Sequence, residues 1–78
     1  MMLPGLKLHR ILAGLTQQEI ANKAGVHRDT IVRLESLRQP PREHTLKKLA
    51  RVLEVSTREL TEYPENGYRE LTQGLPRQ

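Results

Sequence analysis

TQQEIANKAGVHRDTIVRLES, residues 16–36, decides the fold of this chain. Thr16, followed three residues later by Glu19, forms a capping box: the hydroxyl accepts from the backbone amide of residue 19, and the carboxylate accepts from that of residue 16. Leu15 before the cap can pack on Ile20 after it, so a helix begins at Gln17. It has room for about two turns before Gly25, the residue best able to take the left-handed conformation that ends a helix and redirects the chain. Val26 and Ile31 flank His27 as a second apolar pair. They predict that another helix follows at once, although imidazole is a weaker cap than Ser or Asp.

Ala21 stands where these two helices must approach, and a larger side chain there would push them apart. With Ile20, Val26, Ile31 and Leu34 turned inward, the segment reads as a helix-turn-helix.

Upstream, Pro4 suits a first helical turn. Leu8, Ile11, Leu12 and Leu15 recur at i, i+3, i+4 and i+7, predicting an amphipathic helix over residues 6–13 that ends near Gly14. Downstream, Arg38, Gln39, Pro40 and Pro41 cannot continue a helix and read as an exposed connection. A fourth helix is expected from about Arg42, with Leu46, Leu49, Ala50 and Leu53 as its stripe. Ser56 with Glu59, flanked by Val55 and Leu60, makes a second capping box and a fifth helix over residues 57–62. The fold class is therefore all-α, five short helices within residues 1–63. Residues 64–78 are polar, with only Leu71 and Leu75 as aliphatics, and read as a mobile tail with at most one helical turn.

A chain of 78 residues supports one small domain, hiding only about 60% of its unfolded surface. It has no cysteine, so neither disulfides nor thiolate metal sites supplement the core. No aliphatic run approaches the roughly 20 residues of a membrane span, and the expectation is a soluble, cytoplasmic protein. Residues 1–58 hold eleven basic and five acidic side chains, net +6, whereas residues 59–78 hold two and four. The positive charge belongs to the helical domain, which suits nucleic acid, an anionic surface or an acidic protein.

Position narrows that choice. The side of helix three opposite Ile31 and Leu34 presents Asp29, Val32, Arg33 and Ser36, with Arg28 beside them at the N-terminal end. Such a face suits a DNA major groove: Arg28 and Arg33 can each donate two hydrogen bonds to a guanine edge, Asp29 can accept from cytosine N4, and Val32 can touch a thymine methyl. The start of helix two offers free amides, with Gln17 and Gln18 placed to grip a phosphate. Thr30, Arg38 and Arg42 are further phosphate candidates, and His27 either contacts phosphate or caps.

Enzymatic chemistry and metal binding are not expected. Asp29 and Glu35 point to different sides of their helix and have no nucleophile as partner. His9, His27 and His44 lie on separate elements without ligand spacing. Tyr63 and Tyr68 do not make an aromatic platform for single strands, and Lys47, Lys48 and Arg51 read as a solvated face. No cofactor is expected.

AGLTQQEIANKAGVHRDTIVRLE (residues 13–35) followed by PREHTLKKLARVLEVSTREL (residues 41–60) resembles the DNA-binding domain of the Cro and phage-repressor, or XRE-type, family. Gly14, Thr16, Gln17, Ala21, Gly25, Ile31, Glu35, Pro41 and the Leu46, Leu49, Ala50 stripe carry the likeness. The resemblance implies that helix three is the recognition helix, that Gln17 binds backbone phosphate, and that Arg28, Asp29 and Arg33 read bases while Thr30 and the following loop meet phosphates. It also implies an ion pair between Arg10 and Glu35. The function implied is a sequence-specific regulator of transcription, commonly a repressor, binding a double-stranded operator as a homodimer across half-sites about 34 to 36 Å apart.

Three positions depart from the family. His27 and Arg42 stand where small capping residues are usual, and Leu37 replaces the glycine that commonly ends helix three. An exposed Leu37, helix five and the tail are the candidates for a subunit or protein contact. The competing function is a protein-binding helix-turn-helix module, such as an antitoxin, which has no need of Arg28 and Arg33 together.

Overall fold

The computed structural model of the chain describes residues 2–63, and the expected tail, residues 64–78, lies outside them. Five α-helices follow in order: α1 Leu6–Leu12, α2 Gln17–Ala24, α3 Arg28–Glu35, α4 Glu43–Leu53 and α5 Thr57–Thr61. α2 packs against α3 and α4, α4 against α5, and α1 against α3 and α5. Ile20, Ile31, Leu34, Leu49 and Leu60 are fully buried at the centre, with Leu15, Val26, Val52 and Val55 closing over them.

Both capping boxes form as the spacing requires. The Glu19 amide donates to Thr16 Oγ1 at 3.0 Å and the Thr16 amide to Glu19 Oε1 at 2.9 Å; Ser56 and Glu59 repeat the exchange at 3.2 and 2.8 Å. Gly25 takes φ 69°, the left-handed turn between α2 and α3. Ala21 is fully buried where α2 and α3 meet, as its size requires.

The first helix differs from its expected phase. Leu12 is 61% exposed and Ile11 only half-buried, whereas Leu3 and Leu6, outside the expected stripe, are fully buried. The chain leaves the helix after Leu12 and turns through Ala13 and Gly14, so Leu15 no longer shares a helical register with Leu8 and Leu12. Gly5 explains the shift. Its amide donates to the Leu60 carbonyl at 3.0 Å, and a Cβ there would sit 2.4 Å from the Glu59 carbonyl oxygen. Residues 3–6 thus slide directly beneath α5, and burying Leu3 and Leu6 contributes about 1.5–3 kcal/mol each.

α3 ends at Glu35, and the chain leaves it through a strained residue. Leu37 has φ 56° and Arg38 donates its amide back to the Arg33 carbonyl at 3.0 Å, the closure a glycine usually supplies. Leu37 is half-buried there, not exposed as its sequence position suggested.

Candidate nucleic-acid interface

The inner side of α3 is tied down by a chain of polar contacts. Arg10 Nε donates to Glu35 Oε2 at 2.5 Å and Arg10 Nη2 to Glu35 Oε1 at 3.2 Å, with the two side chains 12% and 5% exposed. Arg10 Nη1 also donates to the Leu15 carbonyl at 2.8 Å. The ion pair thereby joins α1, the entry to α2 and the end of α3. Gln17 Nε2 donates to Glu35 Oε1 at 3.1 Å, and Gln17 Oε1 accepts from Arg28 at 3.5 Å. The Gln17 side chain is therefore half-buried and already bonded, while its backbone amide lies at the α2 N-terminus.

The outer side carries no ion pair among the described residues. His27, Arg28, Asp29 and Arg33 are exposed, Val32 and Thr30 half-buried, and Arg38 and Arg42 exposed on the connection to α4. Ion pairs among the described residues join Arg10 to Glu35, Lys47 to Glu43 and Arg58 to Glu62; none uses Arg28, Asp29, Arg33, Arg38 or Arg42. Ser36 turns its hydroxyl back onto the Val32 carbonyl at 2.7 Å, which removes it from the outward set.

The structure brings the expected residues together in two groups. Gln18, His27, Arg28 and Asp29 share a shallow concavity where α2 and α3 begin, and Gln18 is held there by Asn22 at 2.9 Å. His27, Thr30, Arg33 and Arg42 line a second cleft, between α3 and the start of α4, with His44 and Thr45. Gln17, Val32 and Arg38 belong to neither group. His44 was not among the expected DNA contacts; its place as the second residue of α4, just after Arg42 at the N-cap position, was the available signal. Neither His27 nor Arg42 uses its side chain to cap the helix it precedes.

The helix-turn-helix family model matches residues 6–60. The chain belongs to the XRE-type helix-turn-helix family. Among solved structures of this fold, the N-terminal DNA-binding domain of SinR from Bacillus subtilis is 31% identical, with a TM-score of 0.71 over 78% of this chain and 90% of that one. A hypothetical transcription factor, NHTF, from Neisseria is 25% identical, with a TM-score of 0.72 over 86% of this chain and 75% of that one. A chain of the SinR protein/SinI protein complex is 27% identical, with a TM-score of 0.69 over 87% and 71%. No curated protein sequence matches. In XRE-type terms α2 and α3 are the helix-turn-helix, and the unpaired residues lie on its second helix and at the two helix starts beside it. No helix among the described residues is long and apolar enough to cross a membrane.

Proposed function

We propose that this chain is a DNA-binding transcription regulator of the repressor kind, reading a double-stranded operator with α3 in the major groove. One observation carries the reading: α3 is locked on its inner side by Glu35 while Arg28, Asp29 and Arg33 stand exposed and without ion-pair partners on its outer side. Cations left unpaired on a rigid helix need no rearrangement before they meet a ligand. Membership of the XRE-type family and likeness to the SinR DNA-binding domain support the same assignment.

In this reading Arg28 and Arg33 donate to guanine edges, Asp29 accepts from cytosine and Val32 packs on a thymine methyl. The amides at the α2 start beside Gln17 and Gln18 hold one phosphate. His27, Thr30, Arg38 and Arg42 hold the backbone further along. Arg10, Glu35, Ala21 and Gly25 position the readers and touch no DNA. A homodimer on a two-fold operator places two α3 helices in successive major grooves, and a cytoplasmic protein bound over a promoter excludes polymerase from it.

Selection of bound sequences from a random duplex library, by wild type and Arg33→Ala, tests the proposal. An inverted-repeat consensus that Arg33→Ala degrades at one position per half-site supports it. Absence of any enriched sequence refutes it. In that case likeness to a chain of the SinR–SinI complex favours the protein-binding module, engaged through Leu37, α5 or residues 64–78, and a pull-down from host extract identifies the partner.

A further inference from the structure

The cleft between α3 and the start of α4 has a volume of about 550 Å³, and every ionisable side chain lining it is basic: His27, Arg33, Arg42 and His44. They converge from three elements, the α2–α3 turn, α3 itself and the first turn of α4. Neither His27 nor Arg42 makes a side-chain cap bond, and Thr45, the buried polar residue of the described core, lies on the same lining. No carboxylate lines the cleft, so an anion entering it meets only cationic and neutral groups.

We propose that this cleft seats a DNA backbone phosphate and that its two histidines make the seating dependent on pH. Arg33 and Arg42 supply permanent charge, while the imidazoles of His27 and His44 supply charge only when protonated. The proposal rests on the DNA-binding reading and adds to it one contact residue, His44, and a proton requirement.

A neutral imidazole offers one N–H donor, whereas imidazolium offers two and a full charge, and the change falls between about pH 5 and 8. The groups facing each ring fix the sign. His27 has Arg33 and Arg42 on the cleft side and Arg28 and Asp29 on the side toward α2, where Gln18 and Asn22 complete the wall. His44 has Arg33 and Arg42 across the cleft; Glu43, its chain neighbour, is paired with Lys47 at 3.3 Å. A phosphate between the two rings favours their protonated form, so binding takes up protons and tightens as pH falls.

Binding of the full chain to its selected duplex, followed by fluorescence anisotropy at constant ionic strength, tests this. Wild type should bind about tenfold tighter at pH 6 than at pH 8, with a salt slope steeper by about one for each histidine engaged. The double variant His27→Gln, His44→Gln should retain less than about twofold of that difference, while its preference for selected over scrambled duplex persists through Arg28 and Arg33. His9→Gln, whose ring lines a different groove with Leu12, Leu15 and Val55, should keep the wild-type pH dependence. Histidine ring resonances separate the two sources of phosphate: the duplex should raise the titration midpoints of His27 and His44, and inorganic phosphate at the same concentration should not. Equal wild-type affinity at both pH values, full pH dependence in the double variant, or an equal response to inorganic phosphate overturns the proposal. Duplex binding without sequence preference at either pH overturns the DNA reading beneath it as well.

Discussion

Helices α2 and α5 start differently from α3 and α4. The first pair begins at Thr16 and Ser56, each closed by a reciprocal capping box; the second begins at His27 and Arg42, neither of which makes a side-chain cap bond. A capping box satisfies free amides from within and adds local stability. A side chain that makes no such bond leaves those amides open, and Arg42 adds charge beside them. The starts of α3 and α4 border the same basic cleft, so the molecule forgoes a side-chain cap at both starts where it is proposed to meet phosphate; α1, which follows Gly5, also lacks one but lies away from that cleft. α3 then depends on tertiary contacts: Ile31, Leu34 and the Arg10–Glu35 pair.

That dependence gives the largest expected effect. Glu35→Ala should lower unfolding free energy by about 3–5 kcal/mol, because it strands a nearly buried guanidinium. Loss of a single capping box should cost less. Thr16→Ala is expected to lose about 1 kcal/mol, seen as a drop of roughly 4–8 °C in thermal midpoint. If Thr16→Ala proved the more damaging of the two, the division between capped and tertiary-held helices would fail.

The capped half also carries an acid-side signature. Bonds from the Thr16 amide, then from its hydroxyl, hold the Glu19 carboxyl below the ordinary glutamate value of 4.5. A group depressed on folding stabilises fully above its unfolded value and loses that contribution as pH falls through its folded value. Stability should therefore decline in part below about pH 4.5. Glu19→Gln should flatten that portion of the curve in denaturant titrations, and an unchanged curve would remove Glu19 from the explanation.

Arg42→Ser reverses the comparison at one site. It should stabilise the fold by about 0.5–1 kcal/mol through a conventional cap, yet weaken duplex binding and reduce the salt slope by about 1. A gain in both stability and affinity would contradict the trade. The smallest effect belongs to a helix end: Glu54 closes α4 at φ 57°, and Glu54→Gly should raise stability by about 1 kcal/mol with no change in DNA affinity.

Much of this was legible in the sequence because it is local. Thr16 with Glu19, Ser56 with Glu59 and Gly25 each declare their geometry within four residues and set α2, its exit and α5, while α3 and α4 follow from the Val26 and Ile31 pair, the two prolines and the Leu46 to Leu53 stripe. The first helix was less legible: Leu3, Gly5 and Leu6 are set by close passage beneath α5, more than 50 residues away, and no periodicity within residues 1–15 encodes that approach. Gln17 showed the same limit. Its place at a helix start marked it for phosphate, but its bond to Glu35, 18 residues on, exists only once α2 and α3 are packed. The cleft that joins His44 to Arg33 is likewise a product of tertiary structure, invisible while the two lie on separate helical patterns.

Backbone amide shifts of the full chain, recorded with and without the selected duplex, test the interface most directly. The largest changes should fall at Gln17 and Gln18, across His27 to Arg33, and from Arg38 to His44, with α5 and the Gly5 region unmoved. Changes centred instead on α5 and the groove around Leu12, with α3 silent, would contradict recognition through the second helix of the motif.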